Sequence, residues 1–277
     1  MDAQSIKPNS EKSSNDSDND IFIPDGQKIK VSTAIGSIGD AWDFISPKLG
    51  MWVLMGIIYS TINFGIMLIP YLGFILSSLL DPLFIAGIIS ICENQRITDK
   101  FELKRLFYGF RHKCGSLFLI GIVVCGIKSL GYISAALIDG DDLFQVVFDD
   151  MYSISLYRNY DSTISVDESS LSFLSLFSII IALFLSTAYS WFAPTLIMLN
   201  NFSVKKALST SLNSICKNLL GALLFFFFIN LLIFVSSLPL LLGLLFTTPL
   251  RMASHYSSYR NVFYLHEIKK DEMVMKN

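Results

Sequence analysis

The sequence predicts an all-α integral membrane protein with six transmembrane helices, arranged as three pseudo-repeated hairpins, each preceded by an amphipathic interfacial helix. Three observations predict it. Hydrophobic residues make up 52% of the chain and charged residues only 16%, against roughly 25% charge in a soluble domain. Mean hydropathy is +0.54. Nearly uncharged stretches of about twenty residues recur along the chain, the length a helix needs to cross a bilayer. Strict apolar–polar alternation of the β-barrel kind is absent.

Residues 1–30 read as a disordered cytoplasmic tail. The opening MDAQSIKPNSEKSSNDSDNDIFIPDG is rich in Ser, Asn and Asp and holds too little apolar surface to offset the entropy of ordering. No apolar core follows Met1, so it is not a signal peptide. The membrane domain is expected over 31–265, with spans at 50–69, 71–91, 115–138, within 171–199, at 218–238, and from about 240 onward. An acidic outer loop is expected at 139–170 and a cytoplasmic C-terminal tail at 266–277.

Orientation follows from Lys and Arg. Of 21 in all, nineteen fall in segments that six spans place on one side. The 139–170 loop carries only Arg158 against eight Asp and Glu. The positive-inside tendency therefore puts both termini in the cytoplasm. Cys92, Cys114 and Cys216 fall at the cytoplasmic face and Cys125 within the third span. None is in the outer loop, so no disulfide framework is implied, which suits a bacterial cytoplasmic (inner) membrane.

A repeating unit organises the spans. Ile35, Ile38, Trp42, Ile45 and Leu49 recur at helical spacing before the first span. Leu103, Leu106, Phe107 and Phe110 do so before the third, and Val204, Leu208, Leu212, Ile215 and Leu219 before the fifth. Each stripe is one apolar helix face. The stripes lead to Lys48, Lys113 and Lys217, whose ammonium groups can reach lipid headgroups. Trp42 suits headgroup depth as well. The returning spans carry Pro82, Pro194 and Pro249, where kinked or broken helices are expected.

LKRLFYGFRHKCGSLFLIGI, WFAPTLIMLNNFSVKKALSTSLNSICKNLL and LPLLLGLLFTTPLRMASHYSSYRNVF together resemble an uncharacterised bacterial inner-membrane family. It is distantly similar to YciC-like proteins and to the membrane domain attached to some glycerophosphodiester phosphodiesterases. The resemblance covers about 31–265 and implies a six-helix membrane protein. It supplies no catalytic residues, and the soluble phosphodiesterase domain is lacking, so that activity does not transfer.

Chemistry-bearing residues are sparse. His112, His255 and His266 lack ligand spacing, so no metal and no cofactor is expected. The net charge of −2 predicts no nucleic-acid partner; membrane lipids and other membrane proteins are the expected partners. What remains is charge and polarity inside the spans: Asp81, Lys128, Arg251, Asn63 and Asn230. Asp81 lies about ten residues, or about 15 Å, into the second span. A charge there costs roughly 2.5–3.5 kcal/mol on insertion scales. Asp81 and Arg251 stand beside comparable prolines and are expected to pair, with Lys128 snorkelling outward toward Asp139 or the headgroups. Three functions stay open: a non-enzymatic protein that organises envelope components or binds lipid, a small transporter or channel that uses these charges, and, least supported, a membrane-embedded lipid enzyme.

Overall fold

A computed structural model describes residues 21–69, 72–139, 172–238 and 243–265. The expected outer loop beyond Asp139, the C-terminal tail with His266, and residues 1–20 lie outside them. The described chain is almost wholly helical. Five helical stretches are long and apolar enough to cross a membrane. Many large apolar side chains remain exposed on them, among them Phe64, Leu137, Phe173, Phe227 and Leu238. A belt of that kind requires lipid as its solvent. The protein is an all-α multi-pass membrane protein.

Helix α1 spans Val31–Ile45 and passes through a 3-10 turn at Ser46–Lys48 into α2, Leu49–Met67. Helix α3, Leu72–Thr98, is the longest. A 3-10 turn at Leu103–Phe107 and the single-turn α4, Tyr108–Arg111, lead to α5, Cys114–Asp139. Then come α6, Phe173–Ser190, and α7, Ala193–Asn200. Helix α8 is Val204–Lys217, α9 is Leu219–Ser237, and α10 is Leu244–Phe263.

Two apolar cores form. One gathers α5 to α9, Leu83 and Ala86 of α3 and the end of α10; the other gathers α1, α2, α3 and the middle of α10. Helices α3 and α10 belong to both, and α10 is the more deeply set at its second half, the hub of the bundle: nearly every residue from Pro249 to Phe263 is buried. Its polar second half keeps it out of the set chosen by hydropathy. Its Tyr256, Tyr259, His255 and Asn261 side chains bond neighbouring helices or the turn between them, whereas Ser254 bonds within α10.

Residues 21–30, placed in the disordered tail by composition, are ordered against the bundle. Strand β1, Ile21–Phe22, pairs antiparallel with β2, Tyr264–Leu265. The Phe22 ring meets Phe202, Phe263 and Tyr264. The Gln27 amide donates to Asn261 O and Tyr264 O at 3.1 and 3.0 Å. Ile29 N donates to Asn218 Oδ1 at 2.8 Å. Phe22 and Ile23, both half-buried, supply the apolar contact that the more polar residues before them lack.

Of the three prolines, only Pro194 accompanies a break. The chain interrupts its helix at Trp191–Phe192 and Pro194 sits in the first turn of α7, where its missing N–H costs nothing. The break is held by Ser211 of α8, which accepts from Phe192 N at 3.0 Å and donates to Ala188 O at 2.8 Å. Pro82 and Pro249 lie inside continuous helices, both buried. Gly56 of α2 makes room for the Pro249 ring; a Cβ there would lie 3.2 Å from Pro249 Cδ.

The stripe at 103–110 does not build one amphipathic helix. Its backbone instead presses onto α3. Gly87 and Gly109 make that approach possible: a Cβ on Gly87 would sit 1.9 Å from Leu106 O, and one on Gly109 2.2 Å from Leu83 O. Leu106 is fully buried as a result.

Candidate functional site

Helices α3 and α10 carry most of the polar groups held inside the bundle. They do so at two levels. At the first, a cavity of about 80 Å³ is lined by Tyr59, Asp81, Trp191, Thr248, Arg251 and His255. The Tyr59 hydroxyl donates to Asp81 Oδ1 at 3.0 Å. His255 bonds through Nε2 to the Trp191 carbonyl, so Nε2 carries the proton, while its buried Nδ1 has no hydrogen-bond partner among the described residues. Asp81 and Arg251, expected to pair, do face the same cavity, but no direct ion pair joins them among the described residues. Arg251 is exposed and Asp81 half-buried. The cavity has room for a small cluster of water and offers acceptors at Asp81 and His255 and donors at Arg251 and Thr248.

The second level lies toward the end of α3, where Glu93, Asn94, Gln95 and Arg96 follow one another. Glu93 accepts from Arg96 at 2.6 Å and from the Tyr256 hydroxyl of α10 at 2.6 Å. Gln95 accepts from Trp52 Nε1 at 3.0 Å and donates to Phe44 O at 2.9 Å, tying α1, α2 and α3 together. Asn94 donates to Lys100 O at 2.7 Å. Further along α10, the Tyr259 hydroxyl donates to Asn200 Oδ1 at 2.5 Å. Asn261 donates to Ser37 and Asp40 of α1 at 3.0 and 3.2 Å. Sequence reasoning missed this network. Its signal was present: a run of four polar residues continuing a helix that apolar residues began, and two tyrosines three apart on a second helix.

The other expected residues are placed as follows. Lys128 sits half-buried on α5 and makes no hydrogen bond or ion pair among the described residues. Asp139 instead accepts from Ser172 N at 2.9 Å. Asn63 and Asn230 do not bridge helices: each donates back within its own helix, to Tyr59 O at 3.1 Å and to Phe226 O at 2.7 Å. Trp42 is 43% exposed. Lys48 is held by Asp99 at the end of α3. Lys217 donates to Asp25 O at 3.0 Å. Lys113 is exposed, in a left-handed conformation at φ 59°.

Between α3 and α5, Glu102 receives Arg105 Nε at 3.2 Å and lies 3.5 Å from Lys104. Partial desolvation raises its carboxyl, but Lys104 and Arg105 outweigh this and hold it below its ordinary value. Among the described residues no group of His, Cys, Asp and Glu is arranged to hold a metal ion. No known protein family, no curated protein and no solved structure matches the chain.

Proposed function

We propose that this chain is a six-span protein of a bacterial inner membrane that binds lipid and organises neighbouring envelope components at the cytoplasmic leaflet, without turning over a substrate. The observation that carries the reading is the division of α1 into two faces. Ala34, Ser37, Ala41 and Ile45 are buried against the bundle, whereas Ile35 and Ile38 are half-exposed and Trp42 exposed. Small residues let α1 approach α9 and α10 closely, and the larger side chains are left to a lipid interface. Helix α8 divides similarly, with Ala207, Thr210, Ser211 and Ser214 inward and Leu208 and Leu212 half-exposed.

The count of six draws support from the β1–β2 pair. It puts the chain before α1 at the same end as the end of α10, and chain ends on one side require an even number of crossings. Helices α2, α3, α5, α6, α9 and α10 supply them. A cyclic packing pattern supports the threefold repeat. Each segment that precedes a hairpin packs on the return helix of the hairpin before it: 103–111 on α3, α8 on α6 and α7, and α1 on α10. Kinship with the YciC-like family is part of the same reading, and its closing segment, Pro249 to Phe263, is the hub helix.

A second reading, a small transporter, is favoured by the Asp81–Arg251–His255 cavity alone. One experiment separates the two. In proteoliposomes, shallow-labelled quencher lipids are expected to quench emission that is lost in Trp42→Phe. A pH-gradient-driven flux that Asp81→Asn abolishes would replace the lipid-binding reading with the transporter. The orientation is tested separately in a Cys-free background with a membrane-impermeant thiol reagent. Ser162→Cys is expected to label in intact cells and Ser13→Cys only after lysis; the reverse pattern inverts the topology.

A further inference from the structure

The connection from α3 to α5 forms a groove on the cytoplasmic side of the proposed topology. A space of about 340 Å³ between the last turns of α3 and Arg105–Tyr108 adjoins a basin of about 650 Å³, and the two share Arg105 and Tyr108 as a wall. Lys104, Arg105, Arg111 and His112 line it with a single carboxylate, Glu102, beside them. Glu102 is shared by Lys104 and Arg105. Arg111 and the adjacent Lys113 form no ion pair among the described residues, so the basin carries surplus positive charge. The Tyr108 ring stacks on His112 at 3.8 Å and walls one side.

Depth identifies the partner. Helix α3 has 27 residues, about 40 Å at 1.5 Å per residue, so it outruns a hydrocarbon core of about 30 Å. Its last turns, which border the groove, therefore stand among the headgroups. On the other side, the lipid-facing surface of α5 begins with Phe118 and Leu119, one turn beyond Lys113. Phe107 and Ile97 are exposed next to the charges, and they offer acyl chains an apolar rim.

Resting on the lipid-binding reading above, we infer that this groove binds the phosphoryl headgroup of an anionic phospholipid, with Lys104 and Arg111 on the phosphate and Phe107 against the acyl chains. The Lys104 side chain is 83% exposed, and Arg111 is exposed with no side-chain hydrogen bond among the described residues, so replacing both leaves the packing intact.

The test is native mass spectrometry of the full chain in detergent with equal phosphatidylglycerol and phosphatidylcholine. The wild type is expected to retain phosphatidylglycerol preferentially. Lys104→Gln with Arg111→Gln is expected to lower that retention at least about tenfold at an unchanged melting temperature. Lys104→Gln alone repeats the test with a smaller loss should the double change disturb folding. Equal retention by wild type and variants would overturn the groove and leave lipid binding elsewhere intact. A wild type that retains neither lipid would overturn both readings. Displacement of the lipid by glycerol phosphate at equal concentration would assign the site to a free phosphate and overturn the lipid.

Discussion

Gly87→Ala is expected to loosen the 103–111 segment from α3 and to lower the melting temperature of the full chain in detergent. Two opposing effects are at work. Alanine favours a helix over glycine by about 1 kcal/mol. At position 87, however, the new Cβ would meet Leu106 O at 1.9 Å and Leu106 C at 2.6 Å. Both are backbone atoms, so no rotamer change relieves the clash. Leu106 is fully buried and the facing Gly109 already holds Leu83 O at its own limit, so neither partner has room to retreat. Overpacking of this kind costs about 1–3 kcal/mol, and a backbone collision belongs at the upper end, so the loss outweighs the propensity gain. Gly126→Ala on α5 is the control: nothing lies within 4 Å of its Cβ, and no loss is expected. Equal melting of the two variants would remove the close approach as a determinant of the fold. The groove described above would then lose the anchor that fixes its wall.

The same glycines mark where the sequence was legible and where it was not. Hydropathy reads through to the helices where lipid or core surrounds every side chain: the stretches expected at 115–138 and 218–238 become Cys114–Asp139 and Leu219–Ser237. It stops at 91 for α3, which runs on to Thr98, because the polar side chains beyond Ile91 find partners that one sequence window cannot contain. Gln95 needs Trp52 and Phe44, and Glu93 needs Tyr256. The 103–110 stripe has helical spacing, yet tertiary contact overrides it at Gly87 and Gly109. Proline is ambiguous for a related reason. Whether Pro82, Pro194 or Pro249 breaks a helix depends on what else can bond the freed backbone, and only Phe192 N, near Pro194, meets a hydroxyl, Ser211, built to hold a break. For the candidate site, the sequence places Asp81 and Arg251 at comparable depth but says nothing of Tyr59, which holds the carboxylate, or His255, which completes the cavity.

The link between the two central helices yields the other large effect. Tyr256 is 3% exposed and donates to Glu93 at 2.6 Å; Glu93 also accepts from Arg96 at 2.6 Å, with both side chains mostly buried. Tyr256→Phe keeps the ring against Phe44 and removes only the hydroxyl. A hydrogen bond to a charged group contributes about 1.5–3 kcal/mol, and that loss is expected in unfolding of the purified chain. Glu93→Ala is expected to cost more, about 2–4 kcal/mol, since it takes the carboxylate from the Tyr256 hydroxyl and from Arg96 at once. Once Glu93 is gone, Tyr256→Phe removes a donor that no longer has its acceptor, so the double variant is expected to lose less than the two single losses added. A double-mutant cycle reads this as a coupling of about 1–2 kcal/mol. Additive losses would mean that α3 and α10 are held by apolar packing alone, and that the run of polar residues at 93–96 serves something other than joining the two cores.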